Sequence, residues 1–190
     1  MAHEDEKSDY DLVQAYRKGD QAAMSDLVER YRQRLFGFVF RMVNNRHEAE
    51  DVFQEVWLRI VKNIDRFDGR CFGAWLFRIA RNLIIDRQRA RRDVISLNSD
   101  DNYGVALQDR IDDGGASPAR QAELSELQRQ VAAAVQELPP EQREVFLMRM
   151  EGDLAFKEIA GIQKVSINTA LARMQYAIVK LKTILRRDDA

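Results

Sequence analysis

Apolar side chains recur every three to four positions through almost the whole chain, and the recurrence breaks at only a few places. The spacing predicts four helices in the first half, over residues 9–18, 21–43, 46–64 and 72–92. It predicts four more in the second half, over 119–137, 140–150, 156–162 and 166–187. Gly19-Asp20, Asn44-Asn45 and Asp68-Gly69 mark the breaks, all of them residue types that cap helices or turn the chain. Pro139-Pro140 stands where a helix begins, because the first turn has no use for the N–H that proline lacks. The run SLNSDDNYGVALQDRIDDGGASP, rich in Asp, Ser, Asn and Gly, sustains no amphipathic helix and reads as a linker. The expected fold is all-α: two small helical domains, residues 1–92 and 118–190, joined by an acidic flexible linker over 93–117.

Three of the predicted helices carry more than a core face. In DVFQEVWLRIVKNI, residues 51–64, Val52, Phe53, Val56, Trp57, Ile60 and Ile64 share one side, while Asp51, Gln54, Glu55 and Lys62 fall on the other. Leu58 projects from the middle of the polar side. There it is either one stray surface leucine or an anchor for a protein partner.

In WLFRIARNLIIDRQRARR, residues 75–92, Trp75, Leu76, Ile79, Ala80 and Leu83 mark the buried side. Arg78, Arg81, Arg89 and Arg92 line the opposite side with Asn82 at its margin. Such a stripe suits a phosphate backbone, and equally suits plain solvent. Asn82 offers a base both a donor and an acceptor, and Phe72, Trp75 and Phe77 lie near a loop where unstacked bases would meet aromatic surfaces, though each also fits a core.

From Leu138 onward a helix, a short helix, a tight turn at 163–165 and a long helix have the spacing of a helix-turn-helix. A plain helical hairpin has the same outline. On the last helix Ala170, Met174, Ala177, Ile178, Leu181 and Leu185 face inward, and Thr169, Arg173, Tyr176 and Lys180 form the exposed row. Ser166 is placed to cap that helix, whose free N–H groups also suit a DNA phosphate.

Composition narrows the chemistry. Net charge is −1, yet by segment it is +3 over 1–92, −5 over 93–117 and +1 over 118–190, so the middle is an acidic island. The single Cys71 excludes an internal disulfide. With only His3 and His47 there is no ligand set for zinc and no histidine base beside a nucleophile. No glycine loop cradles a phosphate, so neither an enzyme nor a cofactor or metal is expected. No apolar run reaches the roughly 20 residues of a membrane span, and the acidic start is unlike a secretory signal. The expected location is the cytoplasm, without membrane insertion.

The order of DVFQEVW, WLFRIARN with its arginine-rich tail, an acidic linker, LPPEQREVF, and EIA before a helix-turn-helix resembles the extracytoplasmic-function sigma factors of the sigma-70 family over nearly the whole chain. The resemblance implies a first domain that holds core RNA polymerase and melts the minus-ten element, and a second that binds the minus-thirty-five element as duplex promoter DNA. It assigns Asp51, Gln54, Glu55, Leu58 and Lys62 to the polymerase-binding surface. It assigns a flipped base to loop 67–73 beside Asn82, the strand's phosphates to the arginine stripe, and upstream reading to Ser166, Thr169 and Arg173. It also implies a linker threading toward the RNA exit path, and an anti-sigma factor that occludes both faces.

The chain departs from the family pattern at Ala155, where Ser or Thr is common, and at Lys164 and Asn168, where glycine is common. Ala155 cannot cap the motif's first helix, a loss of roughly 1 kcal/mol unless Asp153 substitutes. Lys164 would strain a left-handed turn. Leu171 and Tyr176 replace positions that are often basic. Two rivals remain at this point: a stand-alone helix-turn-helix regulator that never touches the polymerase, and a helical adaptor that only holds proteins. The first leaves the arginine-rich helix and Leu58 without a task.

Overall fold

The computed structural model describes residues 7–95 and 118–188, with side chains described at 7–91 and 126–187. Its first half comprises α1 (Asp9–Arg17), α2 (Gln21–Val43), α3 (Arg46–Asn63), a 3-10 turn (Ile64–Arg66) and α4 (Phe72–Ile95). Its second half comprises α5 (Pro118–Gln136), α6 (Pro140–Met150), α7 (Phe156–Gln163) and α8 (Ile167–Asp188). Among the described residues there is no strand, and the two groups of four helices are those the periodicity predicts. The main difference in extent is α4, which runs on to Ile95 and so enters the stretch read as linker. Residues 96–117 of that linker lie outside the described residues.

Local chemistry sets the helix ends. Ser8 and Asp11 form a reciprocal capping box at α1, and the Asp20 carboxylate accepts from Ala22 N–H at 3.0 Å to open α2. The Asn44-Asn45 pair splits its work. Asn44 closes α2 in the left-handed region (φ 52°), while the Asn45 side chain accepts from Glu48 N–H at 3.0 Å to start α3. Pro140 occupies the first turn of α6, and Arg143 donates to the carbonyls of Gln136 and Leu138, closing the α5–α6 corner.

The apolar stripes then meet. Leu12, Leu27, Leu35, Phe38, Val52, Val56, Ile60, Leu76, Phe77 and Ile84 are buried between α1, α2, α3 and α4. Val145, Leu147, Met148, Ile159, Ala170, Ala177, Leu181 and Ile184 are buried in the second half. Each large side chain removed from water contributes roughly 1.5–3 kcal/mol. The Phe38 and Phe77 rings meet edge to face at 5.1 Å, and Phe67 stacks on Trp75 at 5.4 Å.

The two halves are docked along α2 and α4 on one side and α6 and α7 on the other. Arg34 donates to the carbonyls of Glu151 and Gly152, Arg41 pairs with Glu151 at 2.7 Å, and Gln136 donates to the Arg41 carbonyl at 2.6 Å. Gly37 lets the domains approach: a Cβ there would lie 2.7 Å from Glu151 Oε2.

Candidate polymerase and nucleic-acid interfaces

On α3 the residues Asp51, Gln54, Glu55, Leu58 and Lys62 are linked by spacings of three and four, 51 to 54 and 55, both to 58, and 58 to 62, so they share one side of the helix. Asp51, Gln54 and Lys62 are exposed, Glu55 is half-buried, and Leu58 keeps 53% of its surface in water. Val61, 40% exposed, widens the apolar spot by one helical step. Arg59 donates to Glu55 at 2.9 Å, and this hydrogen bond holds the Glu55 carboxyl below its ordinary pKa. The opposite side of α3 is anchored by Val52, Val56, Trp57 and Ile60, which makes the stripe a rigid platform.

Around the corner, α3, the 3-10 turn and α4 border a shallow, open cleft of about 270 Å³ lined by Arg59, Asn63, Arg66, Trp75, Ile79 and Asn82. It is smaller than the roughly 300–1,000 Å³ of sites that engulf a drug-sized ligand, which suits one planar ring. Its walls offer an indole and an isoleucine for stacking, two guanidinium groups for phosphate, and two amides for the edge of a base. Asn82, which the sequence places at the margin of the basic stripe, is exposed and lies on this cleft. Loop 67–73 contributes differently. Its Phe67 is buried and, with Phe72 at the start of α4, belongs to the aromatic core, as does Phe77. Arg59, Asn63 and Arg66 were missed in the sequence, although their spacing of four and then three is a readable stripe continuing from the end of α3.

The arginines of α4 do not share one fate. Arg78 and Arg89 are exposed, and the side chain of Arg92 lies outside the described residues. Arg81 departs from expectation. Rather than standing in solvent it keeps only 19% of its side-chain surface and meets the Glu144 carboxylate of α6 at 2.7 Å. The reason is tertiary: the stripe runs along the seam where the second half docks, and a buried carboxylate without a cation would be costly.

In the second half, the Ser166 hydroxyl accepts from Thr169 N–H at 3.0 Å and caps α8, while the Ser166 and Thr169 hydroxyls lie 2.8 Å apart. Tyr176 is 64% exposed and Lys180 is exposed. Arg173 is only half exposed and donates to Gln163 Oε1 at 2.8 Å. Ile178, expected to face inward, is 36% exposed, and Ile184 is buried in its stead. It lies about 80° around the helix from the row of Ala170, Ala177 and Leu181, beyond the arc that the neighbouring helices cover.

The departures from the family pattern leave visible marks. Lys164 does take the left-handed turn (φ 57°), closing α7. Ala155 supplies no side-chain cap, and Asp153 does not replace it, being paired with Arg149 at 2.9 Å. Half a capping box remains, because Glu158 accepts from Ala155 N–H at 2.9 Å. Cys71 is half-buried. Burial first, and then the neighbouring Glu158 carboxylate, push its thiol pKa up, which disfavours the reactive thiolate. Among the described residues no cluster of His, Cys, Asp and Glu could hold a metal, and no helix is long and apolar enough to cross a membrane.

Comparison with known proteins bears on the same residues. The family model described as Sigma-70 region 2 matches residues 27–94, and that described as Sigma-70, region 4 matches residues 128–181. The ECF RNA polymerase sigma factor SigW of Bacillus subtilis is 32% identical, over 92% of this chain and 95% of the relative. RNA polymerase sigma factor CarQ of Myxococcus xanthus is also 32% identical, over 91% and 95%. Among solved structures, CnrH in complex with the cytosolic domain of CnrY aligns with a TM-score of 0.69 at 24% identity, covering 96% of this chain and 99% of that one. The sigma factor RpoE in complex with the anti-sigma factor NepR from Bartonella quintana aligns with a TM-score of 0.72 at 21% identity, covering 85% and 96%. Both likenesses are of fold.

Proposed function

The chain belongs to the extracytoplasmic-function sigma factors of the sigma-70 family, and from that premise we propose how its surfaces divide the work of opening a promoter. It is a sigma factor that binds core RNA polymerase and directs promoter recognition and transcription initiation. It is not an enzyme, since the polymerase performs the chemistry. The stand-alone regulator is not favoured, because it gives the first half of the chain nothing to do.

We assign core binding to Asp51, Gln54, Glu55, Leu58 and Lys62 on α3, with Leu58 as the apolar anchor. The cleft beside Asn82 takes an unstacked base of the melted minus-ten strand, with Trp75 as its stacking wall. Arg78, Arg89 and Arg92 hold that strand's phosphates, joined by Arg81 when its carboxylate partner is removed. Melting costs about 1.4 kcal/mol per base step in lost stacking, so capture in a pocket must offset it. The N-terminal end of α8 presents Ser166, Thr169 and Arg173 to the upstream duplex, with Tyr176 and Lys180 along the flank. We take residues 1–92 and 118–190 as the functional domains and 93–117 as the tether, whose acidic charge suits the RNA exit path. The protein acts in the cytoplasm, where its polymerase is, and an anti-sigma factor restrains it.

The observation that supports this reading best is the cleft, because it gathers an indole, two amides and two guanidinium groups beside the helix that carries the arginine stripe. A run-off transcription assay with purified core polymerase tests it, comparing wild type with Asn82→Ala. Wild type initiates at discrete promoters. Asn82→Ala binds core normally but forms about tenfold fewer open complexes by permanganate footprinting, a base contact being worth roughly 1–3 kcal/mol. Equal opening by both proteins would remove Asn82 from the site, and no core-dependent initiation by wild type would remove the sigma assignment itself.

A further inference from the structure

The cleft beside Asn82 is braced by α1, which contributes none of its lining residues. Arg17 lies in the last turn of α1 with 22% of its side chain exposed, and its Nη2 donates to the carbonyls of Ile64 at 2.5 Å and Phe67 at 2.9 Å. Those carbonyls stand at the start of the 3-10 turn and just past its end. The exposed Asp65 carboxylate, 3.9 Å from Arg17 Nε, is beyond hydrogen-bond reach, so the two carbonyls are what fix the guanidinium. Two turns back on the same face of α1, Tyr10 covers the crest of loop 67–73. A Cβ on Gly69, which takes φ 79°, would lie 3.0 Å from Tyr10 Cε2. The start of α1 is itself tied down, because Asp9 accepts from Arg30 and Tyr31 of α2.

Both carbonyls lead into the cleft. The 3-10 turn carries Arg66, which lines it, and Phe67 stacks its buried ring at 5.4 Å on the indole of Trp75, the stacking wall. We propose that Arg17 is a positioning residue for base capture: it touches no DNA, and by pinning Ile64 and Phe67 it fixes Arg66 and the Trp75 indole at the spacing one unstacked base requires. A 3-10 turn has poor hydrogen-bond geometry and leaves carbonyls at its end without internal partners. A charged donor from a separate, anchored helix supplies those partners and holds the turn in one shape. Ordering a wall only when the base arrives would subtract from affinity, so a wall ordered beforehand binds more tightly. Lysine keeps the charge but presents it at a different reach, and glutamine loses it. The inference rests on the assignment of the cleft to a base of the melted strand.

The test uses the full chain bound to core polymerase and a promoter at which wild type initiates. Short fluorescent single strands of the minus-ten region are made with each base in turn replaced by an abasic site, and their affinities are read by anisotropy. Wild type should lose about tenfold at the captured position, the worth of one stacked base. Arg17→Gln should bind the intact strand about tenfold more weakly, with the abasic penalty reduced to less than about twofold and core binding unchanged. Arg17→Lys should keep a penalty of about threefold, and it carries the same test if Arg17→Gln does not fold. Added to Asn82→Ala, Arg17→Gln should cost less than about twofold more, because both act through one site. A merely structural arginine would weaken intact and abasic strands alike, and that result overturns the inference. A sensitive position kept in full by both Arg17 variants removes the inference alone, whereas a wild type with no sensitive position removes the cleft reading and the inference with it.

Discussion

Two helices of the N-terminal domain carry the surfaces assigned to partners, and they stand in different states. The stripe on α3 is complete and wet: Asp51, Gln54, Leu58 and Lys62 all face solvent, and the one pair in it, Glu55 with Arg59, lies within the helix itself. The stripe on α4 is divided, with Arg78 and Arg89 free to meet a ligand and Arg81 held across the seam by Glu144. A surface paired within its own helix is ready for a partner without rearrangement. One that takes its counter-ion from another element of the fold, as Arg81 does from Glu144, has its charge balance set by that docking.

The comparison breaks if the two stripes respond alike to substitution. The largest effect is expected at Leu58→Asp, which should weaken core polymerase binding about a hundredfold while leaving the melting temperature unchanged, because the side chain is 53% exposed and a buried interface anchor commonly costs 2 kcal/mol or more when lost. A pull-down titration together with thermal denaturation checks both halves of that statement. Arg81→Ala should do the reverse, costing about 3 kcal/mol of stability by stranding the buried Glu144 charge in the seam and leaving core binding intact. Arg78→Ala, on the exposed part of the same helix, should shift urea unfolding hardly at all.

Smaller effects sharpen the picture of the second half. Lys164→Gly should stabilise the C-terminal domain by about 1 kcal/mol, since glycine takes the left-handed turn without a Cβ clash, and chemical denaturation reads the gain. The smallest is a pH effect at Cys71. Its folded-state pKa is raised, so above the ordinary thiol value of about 8.5 the unfolded chain binds fewer protons than the native one. That contribution is fully present below pH about 8.5 and is lost as pH rises through the folded-state pKa. Stability should thus fall from pH 7.5 to 9.5 by slightly more in wild type than in Cys71→Ala, as measured by urea midpoints.

How much of this was legible in the chain varies by residue. Leu58 was visible because a helical wheel places an apolar side chain wrongly on a polar face, and that error needs no neighbour to be noticed. Asn82 stood out only as an amide at the margin of a basic stripe, and its companions in the cleft, Arg59, Asn63 and Arg66, come from the end of another helix and from a 3-10 turn. Only the packing of α3 against α4 makes them one cleft. Lys164 was legible as a strained turn because the backbone demand is local, while the failure of Asp153 to stand in for Ala155 depended on Arg149 taking it first.

By itself the sequence determined what depends on near neighbours along the chain. Helix spans, the capping Ser8, Asp20, Asn45 and Ser166, the left-handed Asn44 and Lys164, and the apolar face of each helix follow from interactions within four or five residues. The tertiary structure alone decided which surface met which: Arg81 with Glu144, Leu154 over Gly73, and Ile184 inside in preference to Ile178. A wheel states the direction in which a side chain leaves its helix. What it finds there is set by the docking of elements far apart in sequence, where burial, hydration and counter-charge are balanced together.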